Sequence, residues 1–201
     1  MPSLRIVAGS VGGRLIDSPP GQDLRPMMEK VRAALFDMLW HFDAIHGRVL
    51  DLYAGSGAVG LEALSRGASQ ADFVEWNAVS AKTIRDNLRT LGFADVGRVH
   101  RLKVEEVLAQ PARLGDAGPY DLISMTPPYH EADYPTLLDQ LARSTLVAEG
   151  SVVVVEHPRR VDLPDGCGPL ARFRERKYGK TILSIYDYPF AEPPDEMEPS
   201  T

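Results

Sequence analysis

Residues 48–60 of the chain, Arg48-Val-Leu-Asp-Leu-Tyr-Ala-Gly-Ser-Gly-Ala-Val-Gly60, decide the fold. Positions 48–53 predict a buried strand, 54–57 a glycine loop, and 58–66 a helix. A strand, a tight turn and a helix in this order form a cradle, because the free N–H groups of the helix point back at a ligand in the loop. Glycine suits that loop because a side chain would block the ligand and because the turn favours positive φ angles.

The glycine spacing of the loop does not by itself identify the ligand. Gly55-x-Gly57-x-x-Gly60 is compatible with a dinucleotide as well as with S-adenosyl-L-methionine. Asp51 favours the second ligand, because a carboxylate there would repel a pyrophosphate but suits a sulfonium and an ammonium group. Glu75 closes the next apolar run and is placed to accept hydrogen bonds from both ribose hydroxyls. We therefore predict S-adenosyl-L-methionine as the cofactor, with NAD-dependent oxidoreduction as the alternative.

Length, charge and cysteine content narrow the class of protein. The chain has 201 residues, 44% of them hydrophobic, which is enough for one well-packed domain. Its net charge of −6 argues against a general nucleic-acid coat but permits a local basic face. Cys167 is the only cysteine, so neither a disulfide nor a cysteine zinc site can form within the chain. The chain shows no signal-peptide core and no apolar run of membrane-spanning length, so we expect a cytoplasmic protein without membrane or metal partners.

Strand-like and helical runs alternate along most of the chain, which predicts an α/β fold with a doubly wound, mostly parallel sheet. Residues 1–24 are predicted to form an N-terminal β-hairpin extension, with strands at 4–8 and 14–17. Residues 25–190 are predicted to form the main domain. The last two strands, 171–176 and 181–188, flank a turn at Gly179 and should pair antiparallel. The acidic, proline-rich tail 191–201 is predicted to be disordered.

A second motif, Thr126-Pro-Pro-Tyr129, follows directly on the predicted strand 120–125. Its two prolines fix the backbone, so the carbonyl groups of the turn are held in place. A rigid hydrogen-bond acceptor beside an aromatic ring suits a flat substrate with an exocyclic amine. Asp51, Glu75 and this turn all fall at the carboxyl ends of predicted strands, where ligands bind in open α/β sheets.

Basic residues in the opening segment indicate either a solvated surface or a patch that follows phosphates. Arginine makes bidentate contacts with phosphate oxygens, which favours the second interpretation. Composition does not distinguish between these two interpretations. The candidate RNA-binding residues are Arg5, Arg14, Arg25, Lys30 and Arg32.

The sequence resembles a known family. The loop 51–57 together with the Pro-Pro-Tyr turn is similar to class I amino-methyltransferases. Shorter segments over about residues 4–188 resemble the bacterial small-subunit rRNA guanine-N2-methyltransferases of the RsmD type: Arg5-Ile-Val-Ala-Gly9, Gly13-Arg14, Arg25-Pro26, Lys30-Val-Arg32, Leu35-Phe36 and Tyr178-Gly-Lys-Thr181.

This resemblance implies a seven-stranded methyltransferase sheet, S-adenosyl-L-methionine as donor and methylation of a guanine N2 amine in 16S rRNA of the small ribosomal subunit. It implies catalytic roles for Thr126, Pro127, Pro128 and Tyr129. It implies cofactor contacts from Asp51, Tyr53, Gly55, Gly57, Glu75 and Trp76, and no metal.

The sequence departs from the family pattern at two positions. Thr126 stands where the family usually has Asp. After the third strand, where the family tends to have an acidic residue near the adenine, this chain has Val104 followed by Glu105 and Glu106. A threonine hydroxyl stabilises positive charge on the amine less than a carboxylate does. Two alternatives therefore stay open: a catalytically weakened assembly factor that binds donor and rRNA, and an amino-methyltransferase that acts on DNA.

Overall fold

The computed structural model describes residues 3–20, 27–40, 45–115, 118–129 and 132–190. Strands and helices alternate along these residues, as the sequence predicts. In chain order the elements are β1 (Ser3–Arg5), β2 (Leu15–Asp17), α1 (Glu29–Leu39), β3 (Arg48–Leu52), α2 (Ala58–Ser65), β4 (Gln70–Val74), α3 (Ala78–Leu91), β5 (Gly97–His100), α4 (Val104–Ala109), a 3-10 helix (Pro111–Leu114), β6 (Leu122–Met125), α5 (Tyr134–Ala142), β7 (Val152–Pro158), β8 (Gly166–Cys167), β9 (Leu170–Tyr178) and β10 (Thr181–Asp187).

The main sheet has the strand order β5-β4-β3-β6-β7-β10-β9-β8. Strands β3 to β7 run parallel, whereas β10 is antiparallel to both of its neighbours. The predicted mostly parallel sheet with an antiparallel last strand is confirmed. The predicted number of seven strands is wrong, because the sheet has eight. The additional strand, β8, has two residues that pair with β9, and so short a segment carries no period-2 pattern.

Helices cover both faces of the sheet. Apolar residues of α1, α2 and α3 pack in one core cluster, and those of α4 and α5 pack in a second cluster on the other face. All seven residues of β7 are buried as a result, which explains its run of four valines. The layers leave the carboxyl ends of β3, β4, β6 and β7 at one edge of the sheet.

The helix α3 shows how local sequence sets an element's limits. The side chain of Asn77 caps it by accepting hydrogen bonds from the backbone N–H groups of Val79 and Ser80 at 2.8 and 3.2 Å. Gly92 ends it in the left-handed conformation with φ of 83°.

The strands β1 and β2 form the predicted antiparallel hairpin. Ile6 and Ile16 belong to the same core cluster as α1, α2 and α3, so the hairpin packs on the main domain. The predicted boundary between residues 24 and 25 and the predicted disordered tail 191–201 lie outside the described residues. No helix in the described ranges is long and apolar enough to cross a membrane.

Candidate active site

The glycine loop turns sharply at the carboxyl end of β3. Tyr53 leaves the strand with φ of 58°, a left-handed conformation that is strained for a bulky residue. The N–H of Gly57 donates to the Ala54 carbonyl at 2.7 Å, and Gly57 precedes α2 with φ of 76°. The loop therefore folds back tightly and directs the first turn of α2 towards the space above β3.

Gly60 allows α2 to lie directly against the sheet. A Cβ atom at this position would be 2.3 Å from a ring carbon of Phe73 on β4, so only glycine fits. The N–H of Gly60 donates to Asp51 Oδ2 at 3.0 Å. Burial raises the pKa of Asp51 to about 7, with a smaller contribution from the nearby Glu75 and against the opposing effect of the Gly60 hydrogen bond. Asp51 is thus an internal carboxyl group at the base of the loop.

Glu75 joins the glycine loop to the start of α3. Its two carboxylate oxygens accept hydrogen bonds from the N–H groups of Gly55 and Asn77 at 2.9 and 2.8 Å. The residue is 8% exposed, and burial raises its pKa. Because a carboxylate offers about four acceptor sites, these two bonds leave capacity for hydroxyl groups of a ligand.

The Thr126–Tyr129 turn lies next to this loop. The N–H of Thr126 donates to the Leu52 carbonyl at 3.4 Å, and the Thr126 hydroxyl donates to the Tyr53 carbonyl at 3.4 Å. Both contacts follow from the pairing of β3 with β6, which places Leu52 beside Met125. The two motifs of the sequence therefore meet at one edge of the sheet.

Side chains from several elements hold the Thr126–Tyr129 turn in place. The Tyr134 hydroxyl on α5 donates to the Pro127 carbonyl at 3.1 Å. The Tyr129 hydroxyl donates to Glu156 Oε1 at 3.0 Å and lies 2.5 Å from Thr181 Oγ1. Arg160 donates to the Tyr129 carbonyl. The turn is therefore fixed by hydrogen bonds at both its ends, beyond the stiffness of its prolines.

The remaining predicted cofactor residues lie around the loop. Trp76 follows Glu75 and is 62% exposed, so its ring is available to a ligand at this edge. The Tyr53 hydroxyl donates to Glu105 Oε1 at 2.6 Å. This contact ties the first residue of the loop to α4, and it involves one of the two acids that follow Val104. Within the described ranges no group of three or more His, Cys, Asp or Glu side chains could hold a metal ion.

The predicted RNA-binding residues do not all lie on one surface. Arg5, Arg14 and Lys30 are exposed, and the guanidinium groups of Arg5 and Arg14 donate to the carbonyls of Gly13 and Thr90. Arg25 lies outside the described residues. The prediction for Arg32 is wrong, because its side chain is fully buried and lies 3.5 Å from the Glu62 carboxylate.

Sequence reasoning missed three residues that organise the site. Glu62 accepts hydrogen bonds from the N–H groups of Val7 and Ala8 at 2.7 and 3.1 Å and so ties the hairpin to α2. It is the one charged residue in the otherwise apolar helix 58–65, which is a usable signal. Glu156 and Tyr134, which hold the turn, carry no such signal, because each lies at an ordinary position of its element.

Comparisons with known proteins agree with this geometry. The family model described as Conserved hypothetical protein 95 matches residues 4–187. The chain belongs to this family. The resemblance to class I methyltransferases of the RsmD type that the sequence predicts is confirmed, and the family match covers the hairpin as well as the main sheet.

Sequence matches to individual relatives cover nearly the whole chain. The candidate rRNA methyltransferase YlbH of Bacillus subtilis (strain 168) is 36% identical over 186 residues, which cover 91% of this chain and 98% of that protein. Ribosomal RNA small subunit methyltransferase D of Escherichia coli (strain K12) is 30% identical over 183 residues, 91% of this chain and 89% of that protein. The solved structure of the candidate methyltransferase yhhF from Escherichia coli superposes with a TM-score of 0.79 at 29% identity, covering 94% and 99% of the two chains.

Proposed function

We propose that this class I methyltransferase transfers the methyl group of S-adenosyl-L-methionine to the N2 amine of a guanine in small-subunit rRNA. The observation that supports it most directly is the contact between the two motifs. Thr126 is hydrogen-bonded to Leu52 and Tyr53 at 3.4 Å, so the acceptors of the turn lie at the rim of the loop that carries Asp51 and Glu75.

The donor side of the site fits a cationic nucleoside. We infer that Glu75 accepts hydrogen bonds from the ribose hydroxyls and that Trp76 packs on the adenine. We infer further that Asp51, Tyr53, Gly55 and Gly57 surround the methionine part. S-adenosyl-L-methionine, when bound, supplies an activated methyl group on a sulfonium. The positive charge of that ligand favours the ionised form of Asp51, whose pKa of about 7 lets it respond.

The acceptor side addresses the weak nucleophilicity of the guanine amine, whose lone pair is delocalised into the ring. The Thr126 hydroxyl and the Pro127 carbonyl are placed to accept the two N–H groups and thereby to aim the lone pair at the methyl group. The Pro127 carbonyl keeps one lone pair for this role, since Tyr134 uses the other. Tyr129 stacks on a base extruded into the site, a contact worth roughly 1–3 kcal/mol.

Holding both reactants in line supplies much of the rate. Effective molarities in well-oriented reactions reach about 10⁵ M or more, so orientation alone is able to lower the barrier by several kcal/mol. As the bond from the methyl carbon to the amine nitrogen forms, its bond to sulfur breaks, and the positively charged amine then loses a proton to solvent. Thr126 offers an uncharged acceptor for that state, so it stabilises the charge less than the Asp usual at this position in the family.

The substrate and its setting complete the proposal. Arg5, Arg14 and Lys30, with Arg25, provide cations for rRNA phosphates, whereas the buried Arg32 does not. We take rRNA within the small subunit as the partner and the cytoplasm as the compartment, since the substrate is found there.

Methyl transfer to unmodified small subunits tests this function. Purified protein is incubated with methyl-labelled S-adenosyl-L-methionine, and the product nucleoside is identified by mass spectrometry. We expect label in N2-methylguanosine of 16S rRNA and a loss of roughly 10- to 100-fold in the Tyr129→Ala variant, with donor affinity unchanged. Label in an adenine or cytosine amine of the rRNA would contradict the guanine assignment. Label in DNA offered in parallel would favour the DNA alternative.

One observation favours a second function, an assembly factor with weakened catalysis. The Thr126 hydroxyl lies 3.4 Å from the Tyr53 carbonyl, a long and uncharged contact at the position that binds the amine. Under this function the wild type binds subunits tightly but turns over slowly, and Thr126→Ala changes neither property. A clear drop in turnover for Thr126→Ala excludes it.

A further inference from the structure

The tip of the β9–β10 hairpin, residues 178–181, lies beside the Thr126–Tyr129 turn. Because β10 runs antiparallel to β7, it begins at the edge where β7 ends, and Thr181 pairs with Pro158. Tyr178 at the end of β9 pairs with the same Thr181. The side-chain contact of 2.5 Å between Thr181 Oγ1 and the Tyr129 hydroxyl joins this tip to the turn.

Exposed cations concentrate on this tip, on the end of β9 and on the residues that follow β7. The five residues, here called the tip cations, are Arg159, Arg160, Arg176, Lys177 and Lys180. The acids in the same segments, 159–162 and 175–180, are Asp162 and Glu175, so the local net charge is 5 − 2 = +3. The whole chain carries −6, so this surface has the opposite sign to the rest of the molecule.

Two of the tip cations, Arg159 and Lys180, form no ion pair within the described part of the chain. Lys177 lies 3.5 Å from Glu175, and Arg160 contacts the Tyr129 carbonyl. The backbones of Arg159 and Lys180 pair at 3.2 Å, which holds these two residues side by side. Neither of their side chains forms an ion pair with another residue in the described part of the chain. Two adjacent cations of this kind at the rim of an active site suit an anionic partner.

We propose that the tip cations bind the phosphates of the rRNA segment that flanks the methylated base. This inference rests on the proposed function. A base that leaves its stack to reach Tyr129 carries its own backbone with it, so the neighbouring phosphates pass close to the rim of the turn. A chain with net negative charge needs a local positive surface at that place, since phosphate contacts dominate the affinity for nucleic acids.

Arg160 gives the surface a second role. It donates to the carbonyl of Tyr129, while its exposed neighbour Arg159 donates its backbone N–H to the carbonyl of Lys180 on the tip. RNA contact and the geometry of the turn are linked through two consecutive residues.

A pair of matched double variants tests the proposal. Arg159→Gln with Lys180→Gln removes two tip cations that make no side-chain contact with the turn. Arg113→Gln with Arg143→Gln is the control, because it removes the same charge from exposed side chains on the 3-10 helix and the end of α5. Affinity for unmodified small subunits and for protein-free 16S rRNA is measured at several salt concentrations, together with affinity for S-adenosyl-L-methionine.

We expect the tip variant to bind both RNA substrates about tenfold more weakly and to reduce the salt slope by about 1.5, whereas donor affinity stays the same. The control variant should differ from the wild type by less than about twofold. Equal losses in the two variants would show a general charge effect and overturn the proposal. A loss for subunits but not for protein-free rRNA would assign the surface to a ribosomal protein and also overturn it. Failure of the wild type to methylate RNA would count against the proposed function, while the binding data would still decide the role of the tip.

Discussion

The hydroxyl of Tyr129 donates a hydrogen bond to Glu156 Oε1 over 3.0 Å, and Glu156 is 8% exposed. Burial raises the pKa of this carboxyl group, while the bond from Tyr129 lowers it. The aromatic residue of the turn is therefore fixed by a buried acid on β7, the strand beside β6. Its ring orientation depends on a residue that the proposed substrate does not touch.

Loss of the Glu156 acceptor should lower turnover without affecting the donor. In Glu156→Ala the Tyr129 phenol loses an anchor, so we expect kcat to fall about tenfold, which corresponds to about 1.4 kcal/mol of barrier. Donor affinity should not change. Glu156→Gln is the matched control, since its amide oxygen still accepts the bond, and it should stay within about threefold of the wild type. Steady-state kinetics measure kcat for both variants. An equal loss of kcat in Glu156→Ala and Glu156→Gln would contradict a positioning role.

Asp51 should make stability and donor binding respond to pH in opposite directions. Its folded pKa of about 7 lies above the ordinary value, so the folded state holds the proton more tightly and loses stability as pH rises from about 4 to 7. Asp51→Asn removes this loss. The free energy of unfolding of the variant, relative to that of the wild type, should therefore increase by about 2 kcal/mol between pH 5 and pH 8. Denaturant unfolding at both pH values measures it.

The same variant should bind the donor more weakly at pH 8, because it lacks the charge that faces the sulfonium. Wild-type affinity should rise with pH through the range around 7, while that of Asp51→Asn should stay flat. Calorimetric titration with S-adenosyl-L-methionine gives both curves. Parallel curves for the two proteins would remove Asp51 from the donor site.

Replacing Thr126 by Asp should increase turnover. A carboxylate accepts hydrogen bonds about twice as strong as those of a neutral group and stabilises the charge on the amine. We expect kcat for methyl transfer to rise about tenfold in Thr126→Asp and to fall in Thr126→Val, with donor affinity the same in all three proteins. Single-turnover assays on unmodified subunits separate this step from product release. A slower Thr126→Asp enzyme with an intact fold would show that the site is built for threonine.

The buried pair of Arg32 and Glu62 should be a major contribution to stability. Both side chains are 0% exposed, and Glu62 also pairs with Arg66 at 2.8 Å. Removal of Arg32 therefore takes away one of the two cations that compensate the buried carboxylate. We expect Arg32→Met to lower the free energy of unfolding by about 3 kcal/mol, whereas Lys30→Met on the exposed face of α1 changes it by less than about 0.5 kcal/mol. Urea denaturation measures both. Equal stability of the two variants would contradict the anchoring role.

Regular elements and their order follow from the sequence because their signals are local. Asn77 and Gly92 mark the ends of α3, and the apolar run 152–155 marks a strand covered on both faces. The two-residue β8 gives no such signal, so the predicted sheet lacks its eighth strand. Its pairing depends on the position of β9, which is a tertiary property.

The loop and turn of the site are predictable from the sequence, whereas their supports are not. The sequence prediction puts Arg32 on the RNA surface because arginine makes bidentate contacts with phosphates. Its spacing with Leu35 and Phe36 puts it on the apolar side of α1, and this signal outweighs residue type. The contacts of Glu156 and Tyr134 with the turn join segments that are far apart in sequence, and no local pattern encodes them.

A crystal structure with bound S-adenosyl-L-methionine is the strongest test of the proposed site. We expect the ribose hydroxyls to contact the Glu75 carboxylate and the donor methyl group to face the space between Thr126, Pro127 and the ring of Tyr129. A donor bound elsewhere, or a methyl group directed away from that turn, would contradict it.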